Sequence, residues 1–312
     1  MKVLVLGSGA GGGFPQWNCN CHLCAGQRSG RVKAEVRTHS SVAVSGDGRS
    51  WVLLNASPDI AHQIRLHAPL QPRHAPRDTP IAAVVLMDAQ IDHVSGLLSL
   101  REGPPLDLYA TPGVFEHLTV TLPILPVLQH YCGVHWHLVP VAGEQRSARF
   151  EIEGFAGLRF EAVAIPGRPP PYAASSRSDS AVGDHIALRV LDLHSGRRLF
   201  YAPRLPRVGA DELDSMHDAD CLLVDGSHWS EDEMIEAGLG ARRASEMGHL
   251  PQSAGPAGTP GMIEVLSAFG AARKLLIHVN NSNPILDESS PERAELTRLG
   301  IEVAYDGMEI VL

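Results

Sequence analysis

The chain has no run of lysine or arginine, no long apolar stretch and few cysteines, and each absence excludes a class of protein. Its 35 acidic residues outnumber its 26 basic ones and give a net charge of −9 at pH 7, so the basic patch of a nucleic-acid-binding protein is missing. No apolar run reaches the roughly 18 residues of a membrane span. Residues 1–7 are typical of a strand and a glycine turn, and a signal peptide's long apolar stretch and cleavage site are absent. We therefore expect a globular cytoplasmic protein that binds no nucleic acid and does not span a membrane.

The few cysteines are unevenly distributed, which favours metal binding over disulfides. The chain has five cysteines, an odd number, and Cys19, Cys21 and Cys24 lie close together. Three neighbouring thiolates suit tetrahedral zinc on a short loop, and a sulfur-rich site without an open position is typical of structural zinc. No adjacent residue supplies the fourth ligand unless His22 turns inward.

Short runs rich in Val, Ile and Leu recur along the chain and are bounded by Gly, Pro, Asp or Ser, as buried strands are. The predicted strands cover 2–6, 41–45, 51–54, 82–86, 158–165, 185–191, 221–224, 274–279 and 302–304. The predicted helices cover 59–66, 93–100, 112–122, 261–268 and 292–299. Because the second half repeats the order of the first, we predict two packed sheets flanked by helices. This is an α/β (α+β) fold, an αββα sandwich that forms a single domain over residues 1–312.

Three of the predicted strands lead into residues that can bind a metal. Asp92 and His93 lie at a turn from strand to helix, and two later strands end at Asp225 and His278. Loops at strand ends commonly carry function. Two histidines and one of these two carboxylates, with open positions, would form the facial arrangement of non-heme Fe(II) oxygenases. A single zinc that activates water fits the same residues, so these residues leave the metal open.

The order and spacing of these residues resemble the metallo-β-lactamase superfamily, whose signature is His-x-His-x-Asp-His. Only Asp92 and His93 keep that signature, because Asp88 and Gln90 occupy the positions of its first two histidines. The superfamily's next histidine, after a Pro-Gly turn, corresponds to Arg168. The resemblance implies two mixed β-sheets and the loss of one metal's ligands. The ligands that it retains for the other metal are Asp92, His93, His278 and, nearby, Asp225.

The same resemblance bears on the cysteine site. In related phosphodiesterases of the superfamily, a residue just after the last histidine of the signature set completes such a site. Asn281 takes that position here, three residues after His278. Because an amide is a weak zinc ligand, the fourth ligand stays open at this point.

Six longer stretches, spread over nearly the whole chain, narrow the resemblance from the superfamily to one family within it. They are GGGFPQWNCNC at 11–21, NASPD at 55–59, QIDH at 90–93, GLLSLREG at 96–103, MGHL at 247–250 and HVNNSNPIL at 278–286. Together they resemble the family of coenzyme PQQ synthesis protein B, which acts in making pyrroloquinoline quinone (PQQ) from a Glu–Tyr pair of a ribosomal peptide. For this family, the absence of histidine at positions 88, 90 and 168 is normal.

One function implied by the resemblance is an iron-dependent oxygenase that hydroxylates the tyrosine ring of a Glu–Tyr-derived PQQ precursor. Asp92, His93 and His278 would bind Fe2+ or another divalent metal. His249, in a glycine-flanked loop, or Asp225 would transfer protons. The loss of the other metal's ligands disfavours the alternative of a zinc hydrolase acting on a phosphoester.

The second implied function is a non-catalytic carrier that moves PQQ or its precursor toward the periplasm. Arg168 and Arg101 would then clamp the ligand's carboxylates. A transporter needs a membrane path, which this sequence lacks, so the oxygenase is favoured. A homodimer is left open.

Overall fold

The computed structural model describes residues 1–173, 180–270 and 272–312, and its strands form two mixed β-sheets. The strands are β1 (Lys2–Gly7), β2 (Ser41–Ser45), β3 (Trp51–Leu54), β4 (Ile81–Val85), β5 (Leu106–Ala110), β6 (Val134–Leu138), β7 (Ser147–Phe150), β8 (Leu158–Ile165), β9 (His185–Asp192), β10 (Arg198–Ala202), β11 (Cys221–Asp225), β12 (Arg273–Ile277), β13 (Ile301–Val303) and β14 (Glu309–Val311). The α-helices are α1 (His22–Arg28), α2 (Ile60–Leu66), α3 (Ile91–Val94), α4 (Pro112–Glu116), α5 (Ile124–Leu128), α6 (Ala210–His217), α7 (Glu233–Glu236), α8 (Ala244–Met247), α9 (Met262–Ser267) and α10 (Pro291–Arg298).

Contacts between Cα atoms divide the chain into two compact units, which we describe separately. Unit 1 comprises residues 1–7, 40–199 and 307–312, and unit 2 comprises residues 8–39 and 200–306. A single domain over residues 1–312 stays a prediction.

Unit 1 contains a seven-stranded sheet in the order β14-β1-β2-β3-β4-β5-β6. The pairs from β14 to β3 are antiparallel, and those from β3 to β6 are parallel. Strands β2 and β3 are buried at every residue, which explains why apolar residues follow one another in the middle of β2 and throughout β3 without polar alternation. Because β3, β4 and β5 run in parallel, the loops that follow their carboxyl ends lie at the same edge of the sheet.

A second group of unit 1 strands, β7, β8 and β9, is antiparallel. The Ile186 N–H at the start of β9 donates to the Met87 carbonyl, 2.8 Å away. This hydrogen bond fixes the beginning of β9 beside the segment that follows β4.

The segment after β4 also packs closely on the segment after β3. Gly96 N–H donates to the Ala56 carbonyl at 3.0 Å, and a Cβ at position 96 would collide with the Ser57 carbonyl. Glycine is therefore required where the two backbones meet.

In unit 2, strands β11, β12 and β13 are parallel, and β11 is buried at every residue. Asp225, the last residue of β11, is in register with Ile277, the last residue of β12. Asp225 and the residue after Ile277 thus leave the sheet at the same edge. Within the described parts of the chain, no helix is both long enough and apolar enough to cross a membrane.

Candidate metal centre

Asp92 and His93 belong to unit 1 and lie in the single turn of α3, directly after the loop that follows β4. The His93 carbonyl accepts from the Ala56 N–H at 2.8 Å, which ties the turn to the segment after β3. The His93 side chain is buried and Asp92 is partly exposed, with Nε2 of His93 3.9 Å from Oδ2 of Asp92. The two side chains therefore present an imidazole nitrogen and a carboxylate oxygen close together.

Asp88, five residues before His93, is the histidine's hydrogen-bond acceptor. Its side chain is 1% exposed, and its Oδ1 lies 2.7 Å from Nδ1 of His93 and accepts the Gln90 N–H at 2.9 Å. Burial alone would raise the pKa of Asp88, but the charges and hydrogen bonds of His93 and His185 outweigh it and hold that pKa well below its usual value. Asp88 is thus an ionised carboxylate that holds the hydrogen on Nδ1 of His93, and Nε2 keeps the lone pair that a metal needs.

Asp88 also contacts His185, the first residue of β9. Oδ2 of Asp88 lies 3.3 Å from Nδ1 of His185, and Nε2 of His185 lies 2.7 Å from the Arg168 carbonyl oxygen. The Tyr172 hydroxyl donates to the Ala89 carbonyl at 2.5 Å. These contacts fasten the segment that contains Arg168 to residues 88 and 89, while the Arg168 side chain is exposed. Residues 174–179, which follow this segment, lie outside the described residues.

His278, in unit 2, follows β12 with a left-handed backbone, φ 61°, which is uncommon outside glycine. Its carbonyl oxygen and its Nδ1 each lie 2.9 Å from the Ser227 hydroxyl oxygen. Strained backbone of this kind concentrates at functional sites.

Three metal-competent side chains meet in unit 2. Ligand atoms of Asp225, His249 and His278 lie within 4.8 Å of one another, and all three residues are largely buried. The rings of His249 and His278 stack with their centroids 5.4 Å apart. Nδ1 of His249 lies 2.8 Å from Oδ2 of Asp225, so the two residues predicted as alternatives for proton transfer are in direct contact.

Charge in this cluster is concentrated on the carboxylate. Burial would raise the pKa of Asp225, but His249, His278 and Ser227 outweigh burial and lower it. Burial lowers the pKa of His249 to about 4, although Asp225 opposes that shift. At neutral pH the pair is therefore a carboxylate beside a neutral imidazole whose Nδ1–H points at Asp225, and Nε2 of His249 is the basic atom.

Stability without added metal is expected to fall as the pH drops from 6.5 to about 4. His249 has an ordinary pKa of 6.5 and a folded pKa of about 4, so the unfolded chain takes up the proton first. The contribution is fully present above pH 6.5 and is lost as the pH falls, on the order of 3 kcal/mol over the window. Urea unfolding at several pH values in this window measures the free energy of unfolding of the wild type and of His249→Gln. A plot of that free energy against pH should have a smaller slope for the variant, because the variant lacks the contribution of His249. Equal slopes in both proteins would contradict the assignment.

His228 is a buried neighbour of this cluster that no sequence pattern indicated. Its Nδ1 lies 3.2 Å from Oε1 of Glu233, and its ring meets the His249 ring edge-on at 5.7 Å. Glu233 also accepts from the Trp229 N–H and the Ser282 hydroxyl, each at 2.5 Å. The buried carboxylate of Glu233 therefore holds Nδ1 of His228 next to the cluster of Asp225, His249 and His278.

The three clustered cysteines also lie in unit 2. Their sulfur atoms are within 4.8 Å of one another at the start of α1, where Cys21 is the N-cap and accepts from the Cys24 N–H. His22 is exposed, whereas Asn281 is buried with its side-chain amide 3.4 Å from Sγ of Cys24. Paired backbone hydrogen bonds of 2.9 Å, from Ala10 to Val279 and from Val279 to Ser8, bring the Asn281 segment to this loop.

The cysteine pKa values show how the cluster is charged before a metal binds. Burial would raise the pKa of Cys19, but hydrogen bonds from Cys21, Cys24 and Asn281 outweigh it and lower that pKa. Burial raises the pKa of Cys21 to about 11. A metal must therefore displace a proton from Cys21, so metal affinity should weaken as the pH falls.

Arg101, the other predicted carboxylate clamp, is exposed on the surface of unit 1. Its guanidinium contacts Glu102 at 3.5 Å, donates to the Leu98 carbonyl at 3.1 Å and lies 5.9 Å from the centre of the Tyr131 ring. These contacts hold the Arg101 side chain in place, and none of them is a contact with Asp92 or His93.

Four polar residues of these networks were not predicted from the sequence to be functional, and they are Asp88, His185, Ser227 and His228. Asp88 was interpreted only as a lost metal ligand. The others sit close in sequence to predicted strands or ligands, but their partners are distant along the chain or carry no motif. Ser227, two residues after Asp225, offered the best signal, because a hydroxyl beside a strand-end carboxylate commonly bonds to it.

Known proteins resemble the chain over its whole length. The family model described as "Beta-lactamase superfamily domain" matches residues 50–279. The chain is 53% identical to coenzyme PQQ synthesis protein B of Cupriavidus necator, covering 100% of this chain and 99% of that protein. It is 51% identical to the protein of the same name from Methylobacillus flagellatus, with 100% of both covered.

A solved structure is similar in fold as well. The crystal structure of Zn(2+)-bound PqqB from Methylobacterium extorquens has a TM-score of 0.86 and 36% identity, with 100% of both chains covered. The prediction of a metallo-β-lactamase fold with two mixed β-sheets and flanking helices is thereby confirmed.

Proposed function

The chain belongs to the coenzyme PQQ synthesis protein B family of the β-lactamase superfamily, and we propose that it is an oxygenase of PQQ synthesis that uses iron. Its substrate is the Glu–Tyr-derived precursor, whose tyrosine ring it hydroxylates. The observation that carries the proposal is His93, a buried imidazole held on an ionised carboxylate beside Asp92. That arrangement is typical of a metal-binding histidine.

The donor atoms fit a divalent metal. The proposed ligands are Asp92, His93 and His278, which supply two imidazole nitrogens and one carboxylate, with Asp225 nearby. Such a set suits Fe(II) with open positions. The name of the Methylobacterium extorquens structure states that this relative was Zn(2+)-bound, which supports a divalent metal here and leaves iron to be tested.

Iron bound there would supply the redox chemistry that activates dioxygen, which zinc lacks. In the overall reaction a ring C–H becomes C–OH with one oxygen atom, and the other oxygen leaves as water. Water formation takes up two protons and a pair of electrons, which an external organic reductant of the ascorbate class supplies. The protein's own part is to hold the ring, exclude water and move protons.

The chain's residues divide these tasks. Neutral His249, whose Nδ1–H is held by Asp225, accepts the phenolic proton at Nε2 and returns it. The exposed guanidinium of Arg168, on a backbone anchored by His185, binds a substrate carboxylate as a bidentate partner. Arg101 is the second proposed clamp, and we expect its contribution to be smaller because its guanidinium already contacts Glu102, the Leu98 carbonyl and the Tyr131 ring.

The cysteine cluster is proposed to hold a structural zinc. Cys19, Cys21 and Cys24 supply three sulfur ligands, and the Asn281 amide supplies the fourth when its oxygen is turned toward Cys24. Such a closed site stabilises the loop that precedes α1 and takes no part in turnover. A homodimer and a cytoplasmic location stay predictions.

Turnover is tested with protein loaded anaerobically with Fe(II) and then exposed to oxygen, ascorbate and a Glu–Tyr-derived substrate. We expect oxygen uptake and a product heavier by one oxygen atom, because only a redox metal can support the reaction. Protein loaded with zinc at the same site should bind the substrate without turnover. If the iron protein consumes no oxygen with any such substrate, yet binds PQQ tightly, it is a carrier.

A further inference from the structure

We propose that Asp88 is a shared positioning carboxylate. One of its oxygens fixes His93 as an Nε2 metal ligand, and the other acts through His185 on the backbone of Arg168. The proposal rests on the metal ligand assigned to His93 under the proposed function, but not on which metal binds or what reaction follows. It assigns a role to a residue that would otherwise count only as a missing histidine.

Asp88 makes two contacts, which we call its first and second arms. The first arm is the contact of Oδ1 of Asp88 with Nδ1 of His93. Oδ1 accepts from both Nδ1 of His93, at 2.7 Å, and the Gln90 N–H, at 2.9 Å, so its position is fixed from two directions. A carboxylate cannot donate, which means that the hydrogen of a neutral His93 must be on Nδ1. The ring is thereby fixed in both tautomer and orientation, and an ionised acceptor makes Nε2 a stronger donor to a metal.

The second arm runs from Asp88 to the segment after β8. Oδ2 lies 3.3 Å from Nδ1 of His185, and the opposite ring nitrogen lies 2.7 Å from the Arg168 carbonyl. The His185 ring is buried and sits against Gly167, where a Cβ would collide with it. His185 is therefore a rigid link that sets where the Arg168 backbone lies relative to Asp88.

The arrangement makes different predictions for three substitutions. Asp88→Ala removes both arms. Asp88→Asn keeps the shape but loses the charge, so its amide oxygen can still accept from His93 while the amide nitrogen faces His185. His185→Gln breaks the second arm and leaves the first intact.

Affinity for added Zn2+ is the readout of the first arm, measured by competition with a chromogenic chelator on protein whose cysteine zinc is already in place. Asp88→Ala should weaken the affinity about 10- to 100-fold, Asp88→Asn by less, and His185→Gln hardly at all. Hydrogen–deuterium exchange of the peptide over 165–173 is the readout of the second arm. It should speed up in Asp88→Ala and in His185→Gln.

Nitrogen-15 NMR of the histidine rings provides a readout that a merely structural role would not move. His93 of the wild type, identified by its loss in His93→Gln, should show the Nδ1–H tautomer before metal is added. An Nε2–H tautomer in the wild type overturns the proposal even if no Asp88 variant folds. Unchanged zinc affinity in Asp88→Ala overturns it as well, and exchange unchanged in His185→Gln overturns the second arm.

These outcomes are separate from those of the proposed function. If zinc affinity falls in Asp88→Ala while the iron protein shows no hydroxylation, Asp88 has the proposed role and the reaction is wrong. If hydroxylation occurs and Asp88→Ala binds zinc like the wild type, the reaction stands and the role of Asp88 does not.

Discussion

Replacing Cys21 by serine is expected to remove one zinc from the purified protein and to lower its melting temperature sharply. Cys21 caps α1 and lies within 4.8 Å of both other clustered sulfurs, so it is central to the proposed site. Structural zinc contributes on the order of 10 kcal/mol to small zinc domains, and losing part of that here should lower Tm by roughly 10 °C or more. Metal analysis and thermal unfolding measure the two effects.

Cys132→Ser is the matched control, because Cys132 is a half-buried free thiol of unit 1 that lies outside the cluster. Its zinc content should equal that of the wild type, and its Tm should change little. Should Cys21→Ser keep the same zinc and the same Tm as the control, the cysteines do not hold a structural metal.

Buried strands were the part of the fold that the sequence predicted best. The strands predicted at 41–45, 51–54 and 158–165 agree with β2, β3 and β8 at both ends. Strands β2 and β3 are short, fully buried runs with polar or glycine residues beside them, and burial makes such runs easy to recognise. Strand β8 contains Arg159 and Glu161, but Gly157 and Pro166 mark its two ends. The strands that were not predicted include β5 and β7, in which exposed and partly buried residues interrupt the apolar pattern.

Helix boundaries were predicted less well, because contacts with residues distant in sequence help to set them. The helix predicted over 93–100 is α3 followed by a 3₁₀ turn at Ser95–Leu100, and the one over 112–122 is α4 followed by a π turn at His117–Thr121. Gly96 lies where the first of these changes, pressed against the Ala56–Ser57 backbone. Tertiary contact decides the geometry there, and periodicity does not reveal it.

The candidate site was predicted from the cysteine spacing and from the acids and histidines at strand ends. Ligands that are close in sequence or lie at strand ends form a visible sequence pattern. The residues that hold those ligands in place form no such pattern. Asp88 and His185 are 97 residues apart and meet only because β9 begins beside the segment after β4. Asp88 was interpreted as a lost ligand, since a sequence shows which residue is present and not which atom its oxygens face.

His93→Gln and His278→Gln are each expected to remove the metal at the proposed active site and to abolish turnover, while the cysteine zinc remains. Glutamine keeps much of the side chain's size but offers no imidazole lone pair, so a ligand set of two histidines and one carboxylate is reduced to one histidine and one carboxylate. We expect metal affinity at that site to fall by 100-fold or more, on the order of 3 kcal/mol. Metal analysis of protein dialysed against a weak chelator provides the measurement.

The control is His62→Gln, an exposed histidine of α2, which should keep the wild-type metal content. His249→Gln is a further comparison, since a proton-transfer residue should lower the rate and leave most of the metal bound. If His249→Gln instead loses the metal as completely as His278→Gln does, His249 is a ligand together with Asp225 and His278, as their separation within 4.8 Å would allow. If His93→Gln retains the full metal content, the metal does not bind at Asp92 and His93, and the iron oxygenase proposal loses its site.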